Sequence, residues 1–237
     1  MTVFVDSPVL CGHRGMGRGH RENTLESFRA AVAAGLGWVE VDARIAADDV
    51  LVARHDPELE DGRLVTDLPA SATGLMRITE LLDDLPSDIA VNIDVKTSLE
   101  DALRPRERTT AALVAALVAG AGRPLLVTSF DPAALLIVRE RAPHVALGLL
   151  TWTRFPLGQA VAAAAHLGVE VVTANVESFD GDAVRAVRVA HEAGLEIGAW
   201  CPAPHERDRL LAIGVDCLVI DVERGDERAS SPATPAG

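Results

Sequence analysis

Short apolar, β-branched runs alternate along this chain with longer segments of helical periodicity. The runs predict strands at Val9–Gly12, Trp38–Ala43, Ala90–Val95, Leu125–Ser129, Val145–Leu150, Val169–Thr173, Leu195–Trp200 and Cys217–Asp221. Between them the spacing predicts helices at Thr24–Ala34, Thr79–Leu85, Arg106–Ala119, Pro132–Arg141, Leu157–Leu167, Asp182–Ala193 and His205–Leu211. Start signals support two of these, because Asn23-Thr24 precedes Glu26, and Asp131-Pro132 offers a cap with proline in the first turn. Gly35, Gly120, Gly168 and Gly194 stand where helices should stop. Eight strands separated by helices predict an α/β fold with a parallel sheet. Eight at this length point to a closed (β/α)₈ TIM barrel, with a doubly wound open sheet as the alternative.

Residues 50–77 break the alternation. Val50–Ala53 reads as an extra short strand leading to His55-Asp56, followed by a polar excursion from Pro57 to Arg77. We expect a short insertion after the second barrel strand, lying as a small lid or excursion on the catalytic face. The barrel should occupy residues 1–224. A tail from Glu223 onward, rich in Ser, Pro, Asp and Glu, should be disordered over 225–237.

The polar residues on the predicted strands change the picture. Strands of a parallel barrel are covered on both faces and normally read as continuous apolar runs. Glu40 and Asp42 instead alternate on the second strand, and Asn92, Asp94 and Lys96 alternate on the next, so each set shares a face. Buried carboxylates need a partner or a metal. Glu40, Asp42 and Asp94 make an oxygen-only ligand set suited to one hard divalent cation, Mg²⁺ or Ca²⁺. An ion-pair network with Arg14, Arg44 or Lys96 is the alternative. His13-Arg14 ends the first strand, and His55-Asp56 follows the extra strand, so two proton-transfer groups flank the carboxylates. Trp200 ends the seventh predicted strand and, with Asn92, is a candidate pocket wall. Asp221 ends the eighth and reads as a cap on the pocket floor or its loop. Ser129 has no nucleophile elbow around it. His144, His166, His191 and His205 read as surface or packing residues.

Composition narrows the function further. A formal net charge of -13 disfavours nucleic acid or an anionic membrane as a broad-surface partner, and an absence of Tyr argues against a stacking surface for bases. The longest purely apolar run, near Ala111–Ala119, is too short to cross a bilayer, so no stable membrane insertion is expected. Cys11, Cys201 and Cys217 are odd in number and widely spaced, which fits reduced thiols. With no signal-peptide pattern at the start, a cytoplasmic location is expected.

The order His13-Arg14-Gly15, Glu22-Asn23-Thr24, Glu40-Val41-Asp42 and His55-Asp56 resembles the glycerophosphodiester phosphodiesterase family. Asn92-Ile93-Asp94-Val95-Lys96, Ser129-Phe130 and Trp200 extend the resemblance from about Val9 to Glu223. The resemblance implies a TIM barrel that hydrolyses glycerophosphodiesters to glycerol 3-phosphate and an alcohol, in phospholipid and glycerol metabolism. It implies a divalent metal on Glu40, Asp42 and Asp94, His13 and His55 as the acid–base pair, and Arg14 and Lys96 on the substrate phosphate. Three departures stand out. Asp94 replaces the usual Glu, and the shift of about 1 Å this brings to a metal is of a size that can cost roughly 10²-fold in rate. Trp200-Cys201-Pro202-Ala203 replaces Trp-Thr-Val-Asn. The segment after His55-Asp56 is short and lacks the usual Arg-Thr-Thr. A more open pocket is expected. Two other classes compete: a sugar-phosphate aldolase or lyase using Lys96, and a non-catalytic phosphodiester-binding member.

Overall fold

The structure, a computed structural model, describes residues 2–17 and 20–222. The tail expected from Glu223 onward lies outside the described residues. Nine strands form one sheet: β1 (Val9–Gly12), β2 (Trp38–Ile45), β3 (Leu51–Ala53), β4 (Ala90–Val95), β5 (Leu125–Ser129), β6 (Ala146–Leu150), β7 (Val171–Asn175), β8 (Glu196–Trp200) and β9 (Cys217–Ile220). Eight of them pair in parallel in the order β1-β9-β8-β7-β6-β5-β4-β2, and the β1–β2 pairing closes the ring. The closed barrel is therefore the architecture, not the open sheet. β3 is antiparallel to β2, with Ala43 opposite Ala53, and stands outside the ring.

The helices are α1 (Leu25–Ala33), α2 (Ala70–Thr73), α3 (Ile78–Asp84), α4 (Thr110–Val118), α5 (Pro132–Arg141), α6 (Leu157–Leu167), α7 (Ala183–Glu192) and α8 (Pro204–Ala212). Their ends follow local chemistry. The Thr24 hydroxyl accepts from Ser27 N–H at the start of α1, and the Asp131 carboxylate accepts from Ala133 N–H (2.8 Å) at the start of α5. Gly168 closes α6 in the left-handed conformation. α4 starts later than its apolar spacing predicts, because Thr109 caps it and Arg106–Arg108 form a separate 3₁₀ turn.

The core has two main parts. One lies between the strands and the helices and contains Phe28, Ile93, Leu135, Val172 and Leu210. The other joins Cys11, Leu126, Ala146, Val171, Cys217 and Val219 from five strands with Phe4, and fills the barrel interior. Phe4 packs edge-on against Trp38, and its N–H donates to Glu196 at the start of β8, so the N-terminal segment closes the bottom. Residues 57–77 do not form a lid. They bury Val65 and Ala70 against Ala46 and Val52 beside β2, and Pro57 alone of this segment reaches the cleft described below. No helix is long and apolar enough to cross a membrane among the described residues.

Phe28 of α1 is fully buried against the barrel. Phe28→Ala should destabilise the fold by about 3–5 kcal/mol, measured by chemical denaturation. A loss below about 1 kcal/mol would contradict this packing.

Candidate active site

The carboxyl ends of the strands surround a cleft of about 740 Å³. His13, Arg14, Glu40, His55, Asn92, Asp94, Lys96 and Trp200 all line it, and Asp42 lies just behind at 1% exposure. Barrel register produces this convergence. Glu40 is level with Asn92, and Asp42 is level with Asp94, so alternation turns all four toward the same interior face above Trp38.

Glu40, Asp42 and Asp94 each offer an oxygen within 4.8 Å of the others. Lys96 bridges two of them, with Nζ against Asp94 and 3.0 Å from Asp42. Arg14 Nε lies 3.0 Å from Asp42, and Arg14 Nη1 donates to Glu22 (2.6 Å). Burial opposes ionisation of Asp42, but Lys96, Arg14 and the Asn23 amide outweigh it and hold its pKa below the usual value. Glu40 is less well compensated. Burial first, then the charge on Asp42, pushes its pKa up to about 8. Burial raises Asp94 to about 6 even with Lys96 beside it. Three carboxylates thus face two fixed cations, and Asp94 Oδ1 is buried without a hydrogen-bond partner. These features fit a divalent cation held by oxygen ligands. The ion-pair reading holds for Asp42 and Asp94 with Arg14 and Lys96, whereas Arg44 reaches the His55 carbonyl instead.

Each histidine carries a carboxylate. His13 Nδ1 is 2.8 Å from Asp221 Oδ1, and His55 Nδ1 is 2.8 Å from Asp56 Oδ1. The two rings differ in proton affinity. Burial works against charge on His13, but the Asp221 hydrogen bond, the Cys201 contact and Glu40 together raise its pKa well above 6.5. For His55, burial and the nearby Arg14 and Lys96 outweigh Asp42 and Asp56, and its pKa falls.

The Glu22-Asn23-Thr24 motif builds the scaffold around these groups. Glu22 holds Arg14, Asn23 Nδ2 donates to Asp42 (2.8 Å), and Thr24 caps α1. Arg14 N–H donates to Glu40 Oε2 (3.0 Å). Arg44 donates twice to the His55 carbonyl and fixes that loop. Asn92 accepts from Thr128, and Trp200 Nε1 donates to the Thr151 carbonyl, so both wall residues are anchored. The wall also holds Phe130 stacked on Trp152 at 4.3 Å between centroids.

Asp221 differs from its sequence reading. It is not simply a cap, because its side chain holds His13 while its carbonyl accepts from Arg207 (3.1 Å). Gly17 packs against Asp221, a contact between distant segments that no local sequence signal reveals. A Cβ there would lie 2.4 Å from Asp221 Oδ1, and its φ of +67° favours glycine, so Gly17 leaves the space Asp221 occupies. Cys201, at φ +54°, brings its Sγ to 3.6 Å from His13 Nδ1.

A model of the glycerophosphoryl diester phosphodiesterase family matches residues 13–73 and 66–223. The chain belongs to this family. It is 21% identical over 238 residues to a glycerophosphodiester phosphodiesterase of Caldanaerobacter subterraneus subsp. tengcongensis, covering 90% of this chain and 93% of that one. Among solved structures it resembles an Oleispira antarctica phosphodiesterase in complex with the product sn-glycerol-3-phosphate. The TM-score is 0.82 at 22% identity, over 97% of this chain and 99% of that one. It also resembles the glycerophosphodiester phosphodiesterase of Thermotoga maritima, with a TM-score of 0.73 at 24% identity over 90% and 94% of the two chains. Such likenesses show the shared fold, and the family match carries the membership.

The site's protonation has a consequence for stability. Glu40 shifts from 4.5 to about 8 on folding, and His13 rises above 6.5, so between these limits the folded state binds more protons than the unfolded one. Stability must then fall as pH rises through this window. In EDTA, Tm should drop between about pH 5.5 and about pH 8, and a divalent cation should raise Tm more at the higher pH. Differential scanning calorimetry checks both. A cation-free Tm that rises across the window would contradict the burial of Glu40 among like charges.

Proposed function

We propose that this chain is a metal-dependent phosphoric diester hydrolase that cleaves glycerophosphodiesters to glycerol 3-phosphate and an alcohol. The observation that carries this reading is the pair of histidine–carboxylate couples with opposed proton affinities, on either side of one carboxylate cluster in one cleft. Family membership and the glycerol 3-phosphate bound to the Oleispira antarctica relative support it. Glu40, Asp42 and Asp94 would hold one divalent cation, Mg²⁺ or Ca²⁺, which polarises phosphoryl oxygens when bound.

The protein's own groups do the rest. Arg14 and Lys96 line the cleft, and their N–H groups not taken by carboxylates face the charge that builds on the phosphoryl oxygens. His55 is neutral near pH 7, so its free ring nitrogen takes the proton of the attacking oxygen. His13 stays protonated to higher pH and passes a proton to the departing alkoxide. Asp221 positions that ring and stabilises its positive form. Asn92 and Trp200 stand in the wall beside these groups. The substrate is a small molecule, and its alcohol lies against the aromatic wall.

Lys96 bears on the aldolase alternative. Burial works against its charge, but Asp94 and Asp42 more than offset this and raise its pKa above the ordinary lysine value. A Schiff-base lysine needs the reverse. Retention of both histidine couples speaks against a purely binding role. The natural setting of this chemistry is turnover of deacylated phospholipids in the cytoplasm.

Release of glycerol 3-phosphate from a panel of glycerophosphodiesters tests the function. It should require a divalent cation and stop in EDTA. Absence of release from every substrate in folded, cation-loaded protein would contradict it.

Leaving-group chemistry tests the roles of the two histidines. His13→Ala should lose about 10²–10⁴-fold with an alkyl leaving group and far less with p-nitrophenol, which departs without a proton. His55→Ala should lose on both substrates. Equal losses for His13→Ala on both would contradict its role as the acid. Asp221→Asn should move the alkaline limb of the pH–rate profile to lower pH, and an unmoved limb would remove Asp221 from the mechanism.

A further inference from the structure

We propose that His13 Nδ1, Cys201 Sγ and the Asp221 carboxylate form a second metal site, separate from the Glu40–Asp42–Asp94 cluster, that binds zinc and thereby inhibits the enzyme. The three residues each offer a ligand atom within 4.8 Å of the others. They directly follow β1, β8 and β9, which are neighbours in the barrel. Backbone hydrogen bonds fix their spacing, from His13 N–H to the Ile220 carbonyl and from Cys201 N–H to the Val219 carbonyl, each 2.9 Å.

The atom separations suit zinc. Tetrahedral coordination with bonds of about 2.05 Å to nitrogen and about 2.3 Å to sulfur places those two ligand atoms about 3.5 Å apart. The observed separation of Sγ and Nδ1 is 3.6 Å. The nitrogen and carboxylate oxygen should stand about 3.3 Å apart, so the present 2.8 Å contact must open by about 0.5 Å. That contact is now a hydrogen bond, and its proton leaves when the metal arrives. The thiol proton leaves as well, so binding releases protons to solvent. All three residues line the cleft, which leaves a fourth position open to water or a substrate oxygen.

Ligand chemistry separates this site from the carboxylate cluster. A nitrogen–sulfur–oxygen set favours zinc and cobalt, whereas Mg²⁺ and Ca²⁺ take oxygen ligands. The site depends on Cys201, one of the three residues by which Trp200-Cys201-Pro202-Ala203 departs from the family's usual Trp-Thr-Val-Asn. Zinc on Nδ1 displaces the Asp221 hydrogen bond and leaves His13 unable to take up the proton that a general acid must pass on. Binding of zinc stands on the geometry alone, and only the inhibition rests on the proposed role of His13.

The test titrates Co²⁺ into the full chain with excess Mg²⁺ present, followed by Zn²⁺. A thiolate-to-cobalt charge-transfer band should appear, vanish when Zn²⁺ displaces the cobalt, and be absent from Cys201→Ser. Cys11 and Cys217 are buried in the barrel interior and should not contribute. The ratio of rates with and without Zn²⁺ should show wild type inhibited at concentrations at least ten-fold below those needed for Cys201→Ser. No band in wild type, or the same band in both proteins, would overturn the site. A band without inhibition keeps the site and overturns its regulatory effect together with the role of His13. Should Cys201→Ser not fold, X-ray absorption of the zinc-loaded wild type decides. Sulfur at about 2.3 Å with an imidazole supports the site, and an oxygen-only shell overturns it.

Discussion

Three buried carboxylates share the mouth of the barrel, and much of the site depends on how their repulsion is contained. Glu40, Asp42 and Asp94 are each at most 5% exposed. Water cannot screen them, so the fold supplies Lys96 and Arg14 within ion-pair reach. The compensation is incomplete, and the raised pKa of Glu40 measures the shortfall. The unpartnered Asp94 oxygen marks the same deficit. A site left short of positive charge suits a bound cation, which would offset locally the acidity of the chain as a whole.

Containment also explains the loop after β1. Arg14 reaches Asp42 only because the backbone turns sharply there, with φ of +52° at Arg14 and +93° at Gly15. Gly15 is tied to this turn, since a Cβ on it would lie 2.4 Å from Ser27 Oγ. Ser27 Oγ in turn accepts from Met16 N–H and donates to the Arg14 carbonyl. The helix that follows is therefore keyed to the turn, and the turn to the carboxylates.

Local periodicity made much of this legible in the sequence. Alternation of Glu40 with Asp42, and of Asn92, Asp94 and Lys96, placed these residues on the interior face because a strand has a period of two whatever its neighbours do. The elements were legible for the same reason, with errors at their ends. β7 begins at Val171, two residues later than its apolar run suggests, since Val169 is buried ahead of the strand rather than paired within it. Contacts between distant segments were not legible. Asp221 lies 208 positions from His13, and only barrel closure through β1 and β9 makes them neighbours. Cys201 is invisible in the same way, because its approach to His13 depends on the β9–β8 register and a left-handed backbone. The excursion after His55-Asp56 was legible as an interruption, but its polar surface concealed the small core of Val52, Val65 and Ala70 that pins it beside β2.

The central claim is that the carboxylate cluster is a cation site built into the barrel mouth. Anomalous scattering from a crystal of this chain grown with Mn²⁺ tests it most directly. The account predicts a peak coordinated by Glu40, Asp42 and Asp94, with Lys96 displaced from its bridge between the two aspartates. An empty cluster with Lys96 still bridging Asp42 and Asp94 at saturating Mn²⁺ would contradict it, and would make the carboxylates a structural ion-pair network alone.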